Sequence, residues 1–142
     1  MKVKRNARLA AVQVIFQYYF SKADIENIVE EYHSFDFDHF QKKKSNYDKK
    51  LFTKIVSGVS KNEMNIRTLV ENNLSDNWNY ERIDPTMRSI LSLAVYELSF
   101  CAKTPHKVII DEYVTIAGFF FNKLNTGFIN GILDNLSKKI RK

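Results

Sequence analysis

Glycine and proline are scarce in this chain, with four and two among 142 residues. A sheet joined by tight turns needs more of both, so strands are not expected. The glycines are Gly58, Gly118, Gly127 and Gly131. No Walker loop or dinucleotide fingerprint can be built from them, which excludes the phosphate-cradling sites of nucleotide-dependent enzymes. A single cysteine, Cys101, excludes an internal disulfide. It has no cysteine or histidine at ligand spacing and reads as a small buried residue in a reducing cytosol. No apolar run approaches the roughly 20 residues of a membrane span. The N-terminus only superficially resembles an export signal. Gln13 and Gln17 interrupt its apolar stretch, and bulky Tyr18-Tyr19-Phe20 stands where a small-residue cleavage site belongs. A transit peptide is conceivable on charge, but the stretch fits the helical pattern that follows, so its removal is not expected. A cytoplasmic protein without membrane contact is the expectation.

What is present is an ordinary globular balance, 44% hydrophobic and 27% charged. The length suits a single domain over residues 1–142. A chain of this size buries roughly 68% of its unfolded surface, enough for one core. Lysine and arginine exceed aspartate and glutamate by 22 to 16, a net charge of +6. The excess favours polyanionic partners, and its placement matters more than its size. The first 22 residues hold Lys2, Lys4, Arg5, Arg8 and Lys22 and no acid. The last segment holds Lys123, Lys138, Lys139, Arg141 and Lys142 against Asp134 alone. Lys42-Lys43-Lys44 and Lys49-Lys50 form a third cluster. Two like-charged ends suggest one basic face if they fold together.

The apolar period is helical nearly throughout. Ala7, Ala10, Ala11, Val14, Ile15 and Tyr18 predict a first helix from about Lys4 to Phe20, with Arg5, Arg8 and Gln13 on its other face. A second starts at Asp24, and residues 34–46 read as a loop. Ser45 is the expected cap of a long third segment, broken near Gly58 to Asn62. Asn72 to Asn79 reads as a loop anchored by Trp78. Asp84-Pro85 is the sharpest start signal, because aspartate caps and proline fits a first turn. The next helix starts at Pro105, and the last opens at Asn125 or Thr126. The expected class is all-α, with six to eight helices.

Nothing rises to a catalytic constellation. His33, Asp36, Asp38 and His39 resemble a ligand set, but an irregular loop would not fix them in convergent geometry. His106 has no serine or cysteine partner in a recognisable motif. Asp111 and Glu112 are adjacent on a helix and point about 100° apart, so they do not share a substrate. Their place near a helix start suits capping and the dipole. Gly127 and Gly131, four apart, suit close helix packing or an approach by RNA backbone. Arg5 and Arg8 are three apart and project from one face. That face is either plain solvated charge or an arginine fork for phosphate and guanine edges.

Four segments decide between these. Arg5-Asn6-Ala7-Arg8-Leu9-Ala10-Ala11-Val12-Gln13-Val14-Ile15-Phe16 resembles the opening of the NusB family. Arg88-Ser89-Ile90-Leu91-Ser92-Leu93-Ala94-Val95-Tyr96-Glu97-Leu98 is similar to that family's central helix. Pro105-His106-Lys107-Val108-Ile109-Ile110-Asp111-Glu112 resembles its proline-aromatic-lysine-valine motif, which ends in asparagine-glutamate. Phe128-Ile129-Asn130-Gly131-Ile132-Leu133-Asp134 is close to its phenylalanine-valine-asparagine-glycine motif. The four occur in family order and together are specific.

The resemblance implies an all-helical domain of two packed bundles, about seven helices in all, without catalysis or cofactor. It implies binding to boxA-type single-stranded RNA of ribosomal RNA transcripts. The partner is NusE, a small-subunit ribosomal protein, and the pair joins the RNA polymerase antitermination complex. Carried over by position, Arg5 and Arg8 match the RNA-contacting start. Phe128 matches an aromatic suited to stacking on an unpaired base, with core packing as the alternative. Met87 and Arg88 match positions beside the NusE and RNA surfaces. Asn130 fits a buried, hydrogen-bonded role. Asn6, Ser92 and Gly127 stand where the family carries cations, and Leu124 where it carries an acid. Lys4, Lys123 or the C-terminal lysines are expected to supply the missing charge.

Two other functions remain open. One is the RNA-recruiting NusB-like domain of a ribosomal RNA cytosine methyltransferase. The other is a protein-interaction scaffold whose basic face is incidental. Tyr18, Tyr19 and Phe20 could serve a homodimer or cover the partner site.

Overall fold

The computed structural model describes residues 2–39, 46–74 and 78–141. Among them are seven α-helices and no strand. They are α1 (Lys2–Ser21), α2 (Ile25–His39), α3 (Lys49–Lys61), α4 (Glu63–Glu71), α5 (Pro85–Phe100), α6 (His106–Ala117) and α7 (Lys123–Ile140). A short 3-10 turn, Tyr80–Arg82, leads into α5. No helix among the described residues is long and apolar enough to cross a membrane.

α5 is the axis of the molecule. Every residue from Ser89 to Leu98 is buried, as expected of a helix surrounded by neighbours. It packs against α1, α3 and α4 on one side and against α6 and α7 on the other. Two helical groups therefore share one rod, with α1 also touching α6. Asp84 caps α5 by accepting from the Thr86 N–H at 2.8 Å, and Pro85 opens its first turn. The far end of α5 is held from the other terminus of the chain. Arg141, just past α7, donates to the backbone carbonyls of Leu98 (3.0 Å), Cys101 (2.8 Å) and Thr104 (2.6 Å). This gives acceptors near a helix C-terminus the cation they favour, and it commits the Arg141 donors to the fold.

Several expected boundaries move, each for a local reason. α2 runs to His39, where the sequence reads loop from residue 34. Each residue added to a nucleated helix gains a backbone bond, and no glycine or proline stops this one. Asp48, not Ser45, caps α3, accepting from the Leu51 N–H at 3.0 Å. Ser45 and the Lys42–Lys44 run lie outside the described residues. The expected break of the third segment does fall within Gly58 to Asn62, at Asn62, with α3 passing through Gly58. Gly58 serves close packing instead, since a Cβ there would lie 2.1 Å from the Tyr96 ring. α7 starts at Lys123 rather than Asn125, because Asn122 caps it by accepting from the Asn125 N–H at 3.0 Å. Lys22 closes α1 in the left-handed region (φ 58°), with its N–H on the Tyr18 carbonyl.

Candidate nucleic-acid interface

The basic start of α1 is not an open face. Arg8 is 4% exposed, and its guanidinium forks onto Glu97 of α5 with two bonds of 2.8 Å. Tyr113 of α6 donates to the same carboxylate at 2.5 Å. Arg5 forks in turn onto Glu112 of α6 at 3.1 and 2.8 Å. Glu112 also lies 3.8 Å from Arg8 Nη1, so the two pairs join into one network. The expectation that Arg8 projects from a solvent-facing side is thereby corrected. Ala7, Ala11, Val12 and Ile15 around it are all buried, and a buried Glu97 requires a cation. Likewise Glu112 is an ion-pair partner rather than a capping residue.

The electrostatics follow the geometry. Burial works against the Arg8 charge, but the hydrogen bonds and charge of Glu97 raise its pKa all the same. The Arg5 bonds hold the Glu112 carboxyl below its usual range. Burial and the neighbouring Glu97 charge push the Tyr113 hydroxyl well above its ordinary value. Two arginines and two glutamates cancel, so the first turn of α1 presents Lys4 and the half-exposed outer edge of Arg5. Lys4 makes no ion pair among the described residues.

The start of α7 is built differently. Lys123 and Leu124 are exposed, and Lys123 also lacks an ion pair among the described residues. Phe128 is half-buried, resting on the core, and it stacks against Trp78 with ring centroids 4.3 Å apart and planes 28° apart. Trp78 keeps 44% of its surface open. A Cβ on Gly127 or Gly131 would meet nothing within 4 Å, so neither glycine serves helix packing among the described residues. Asn130 is exposed rather than buried, because it lies at the edge of the buried stripe of α7, about 100° round the helix from Ile129. No hydrogen bond, ion pair or ring contact among the described residues joins Phe128 to Arg5 or Arg8.

The two partner-surface positions separate. Met87 is 5% exposed and packs into the core, which corrects its expected surface position; the apolar stripe of α5 continues through it. Arg88 is partly exposed, its guanidinium lying 6.0 Å from the Tyr19 ring and 5.5 Å from the Tyr80 ring. Its Nε–H is buried with no acceptor. Ser92, where a family cation was missed, is fully buried and accepts from the Tyr19 hydroxyl at 2.9 Å. A cation at that place would have to displace Tyr19, so its absence concerns the core before any surface. Tyr18 is also turned to a partner, donating to Glu63 at 2.8 Å. The exposed aromatics of α1 are Phe20 (77%) and Phe16 (36%), stacked on each other at 6.0 Å. The side chains of the His33, Asp36, Asp38 and His39 group lie outside the described residues.

Glu97 and Tyr113 carry much of this arrangement and were not singled out by sequence as interacting groups, while Trp78 reads in the sequence as the anchor of its loop without a named partner. Glu97 had a signal: a lone carboxylate inside the apolar run of α5 demands a buried cation. For Trp78 nothing local named the partner, since Phe128 is distant in sequence.

These features define a small, basic, all-helical binding protein. Comparison with known proteins specifies it. The model of the NusB family matches residues 5–138. Transcription antitermination protein NusB from Caulobacter vibrioides is 36% identical over 137 residues, covering 95% of this chain and 92% of the relative. The protein of the same name from Sphingopyxis alaskensis is 33% identical, covering 96% and 93%. The solved structure of T. maritima NusB superposes with a TM-score of 0.80 at 32% identity, covering 97% of this chain and 92% of that one. A structure of antitermination factors NusB and NusE in complex with double-stranded RNA gives the same TM-score at 20% identity, covering 98% of each chain, and supports the fold. The chain belongs to the NusB family.

Proposed function

We propose that this chain is a transcription antitermination factor that binds boxA-type RNA of ribosomal RNA transcripts together with NusE. The pair then joins the RNA polymerase complex, and the chain carries out no catalysis of its own. The observation that carries this reading is the near full-length match to transcription antitermination proteins. The open, cation-bearing start of α7 supplies a surface suited to it.

In this reading one NusB-like domain spans the chain. Lys4, the outer edge of Arg5, Lys123 and the Phe128 side of α7 face the RNA. Backbone charge supplies most of the affinity and aromatic stacking contributes sequence tolerance. Arg8 acts from behind, as a positioning residue that holds Glu112 and thereby Arg5. Arg88 turns the exposed part of its side chain to the partner protein, and Met87, buried one residue before it, supports that place from the core. The exposed Phe16–Phe20 pair supplies an apolar face for NusE or for a second copy.

The test is a titration of labelled boxA RNA and of a scrambled strand, with and without NusE. The expected result is tighter binding of boxA, strengthened by NusE. No preference in either case would favour a protein scaffold with incidental charge.

A further inference from the structure

Trp78 is the chain's only tryptophan. Its indole has two faces. One lies on the Phe128 ring at 4.3 Å, and Phe128 in turn rests on the core. With 44% of its surface open, the tryptophan remains accessible on its outer side. The backbone around it is held. Asn79, the next residue, accepts from the Glu81 N–H at 2.9 Å, and Tyr80 is buried at 6% exposure. Phe128 therefore does not present that face of its ring to a ligand. Trp78, at 44% exposed, carries more of the accessible aromatic surface of the pair than the half-buried Phe128.

Access is open from the α7 side. Gly127 adjoins Phe128 and Gly131 follows a turn later, and among the described residues no other part of the chain comes within 4 Å of a Cβ position on either. Lys123, exposed and without an ion pair among the described residues, lies in the first turn of the same helix. The chain's +6 charge favours a polyanion over an apolar peptide as the occupant. A flat aromatic surface stacked on the helix whose first turn carries Lys123 suits an unpaired nucleobase, whose π-face stacks on indole whatever its identity.

We propose that Trp78 is the outer stacking surface of the RNA site. An unpaired base lies on its open face, and Phe128 is the backing ring that fixes the indole. The proposal rests on the RNA-binding reading above and names a further residue of the same site.

Because Trp78 is the only tryptophan, its emission reports on this position in the unaltered protein. The experiment follows a boxA-type single strand added to the chain with NusE in two channels. One is the anisotropy of labelled RNA and the other is indole emission, with a tryptophan-free NusE variant as partner. Stacking predicts quenching that tracks the anisotropy. Trp78→Ala should weaken binding roughly tenfold, as for loss of one stacked base. Its salt slope should stay unchanged, because no phosphate contact is lost. Trp78→Phe should restore most of the affinity. Thermal melting checks that each variant is folded. Anisotropy without any change in emission would overturn the proposal while leaving RNA binding intact. So would a red-shifted emission with Trp78→Ala binding at least as tightly, since Trp78 would then be a cover displaced from Phe128. No anisotropy change at all would overturn both readings.

Discussion

The starts of α1 and α7 carry the same kinds of residue and use them in opposite ways. At α1 the two arginines are each matched to a glutamate, and one pair is buried. At α7 the lysine is unmatched and the aromatic pair is open to solvent on one side. A buried ion pair fixes geometry and contributes little net field outside. An exposed, unmatched cation contributes field and little stability. The difference teaches that arginine on a basic helix is a structural residue when a carboxylate waits across the packing interface.

The strongest way to break this comparison is at Arg8. Arg8→Ala leaves Glu97 buried without its cation, and such losses cost about 3–5 kcal/mol. Thermal unfolding should fall by roughly 10 °C or more. Replacing both partners together, as Arg8→Met with Glu97→Leu, should recover much of that loss. An Arg8→Ala protein that melts like the wild type yet binds RNA poorly would place Arg8 at the surface.

A second variant sharpens the contrast by adding a cation where α7 has room. Gly127→Lys meets no atom at its Cβ, and the backbone is not in the left-handed region. It should stabilise the helix by about 0.7 kcal/mol. The log–log salt slope of RNA binding should steepen by about 0.7 for the added phosphate contact. Salt titration of both proteins with boxA RNA checks this. An unchanged slope would move the RNA path away from Gly127.

Arg5 lies between the extremes, with 41% of its side chain exposed. Arg5→Ala should cost no more than about 0.5 kcal/mol of stability, since solvent screens the pair. It should flatten the RNA salt slope by up to about 0.7, a combination opposite to that of Arg8→Ala.

The smallest effect is on pH. Glu112 has a lowered pKa in the folded chain, chiefly through its bonds to Arg5. Its contribution is therefore present above the ordinary carboxylate pKa of about 4.3 and is lost as pH falls through the folded value. Melting curves between neutral and acid pH should show Glu112→Gln lacking this part of the acid sensitivity.

The helices were legible in the sequence because apolar spacing and Asp84-Pro85 mark them directly. The site was legible only in part. Arg8 reads in the sequence as a residue of the outer face of α1, although Ala11, Val12 and Ile15, all buried, follow it at helical spacing; only the fold reveals that it turns inward and which carboxylate it meets. Ser92 looked like a missing surface cation because similarity of position says nothing of burial. The early start of α7 was hidden because exposed Lys123 and Leu124 carry no apolar period, while the cap at Asn122 is a local hydrogen bond. The Trp78–Phe128 stack joins a segment without periodicity to a helix far along the chain, and no local pattern encodes it.

The most direct test is amide hydrogen exchange on the NusE-bound chain, with and without boxA RNA. The account predicts that RNA slows exchange at residues 78–82 and in the first turn of α7, whose N–H groups lack helical acceptors. Weaker protection should appear at the start of α1. Protection that leaves Trp78 and the start of α7 untouched while RNA is bound would contradict it.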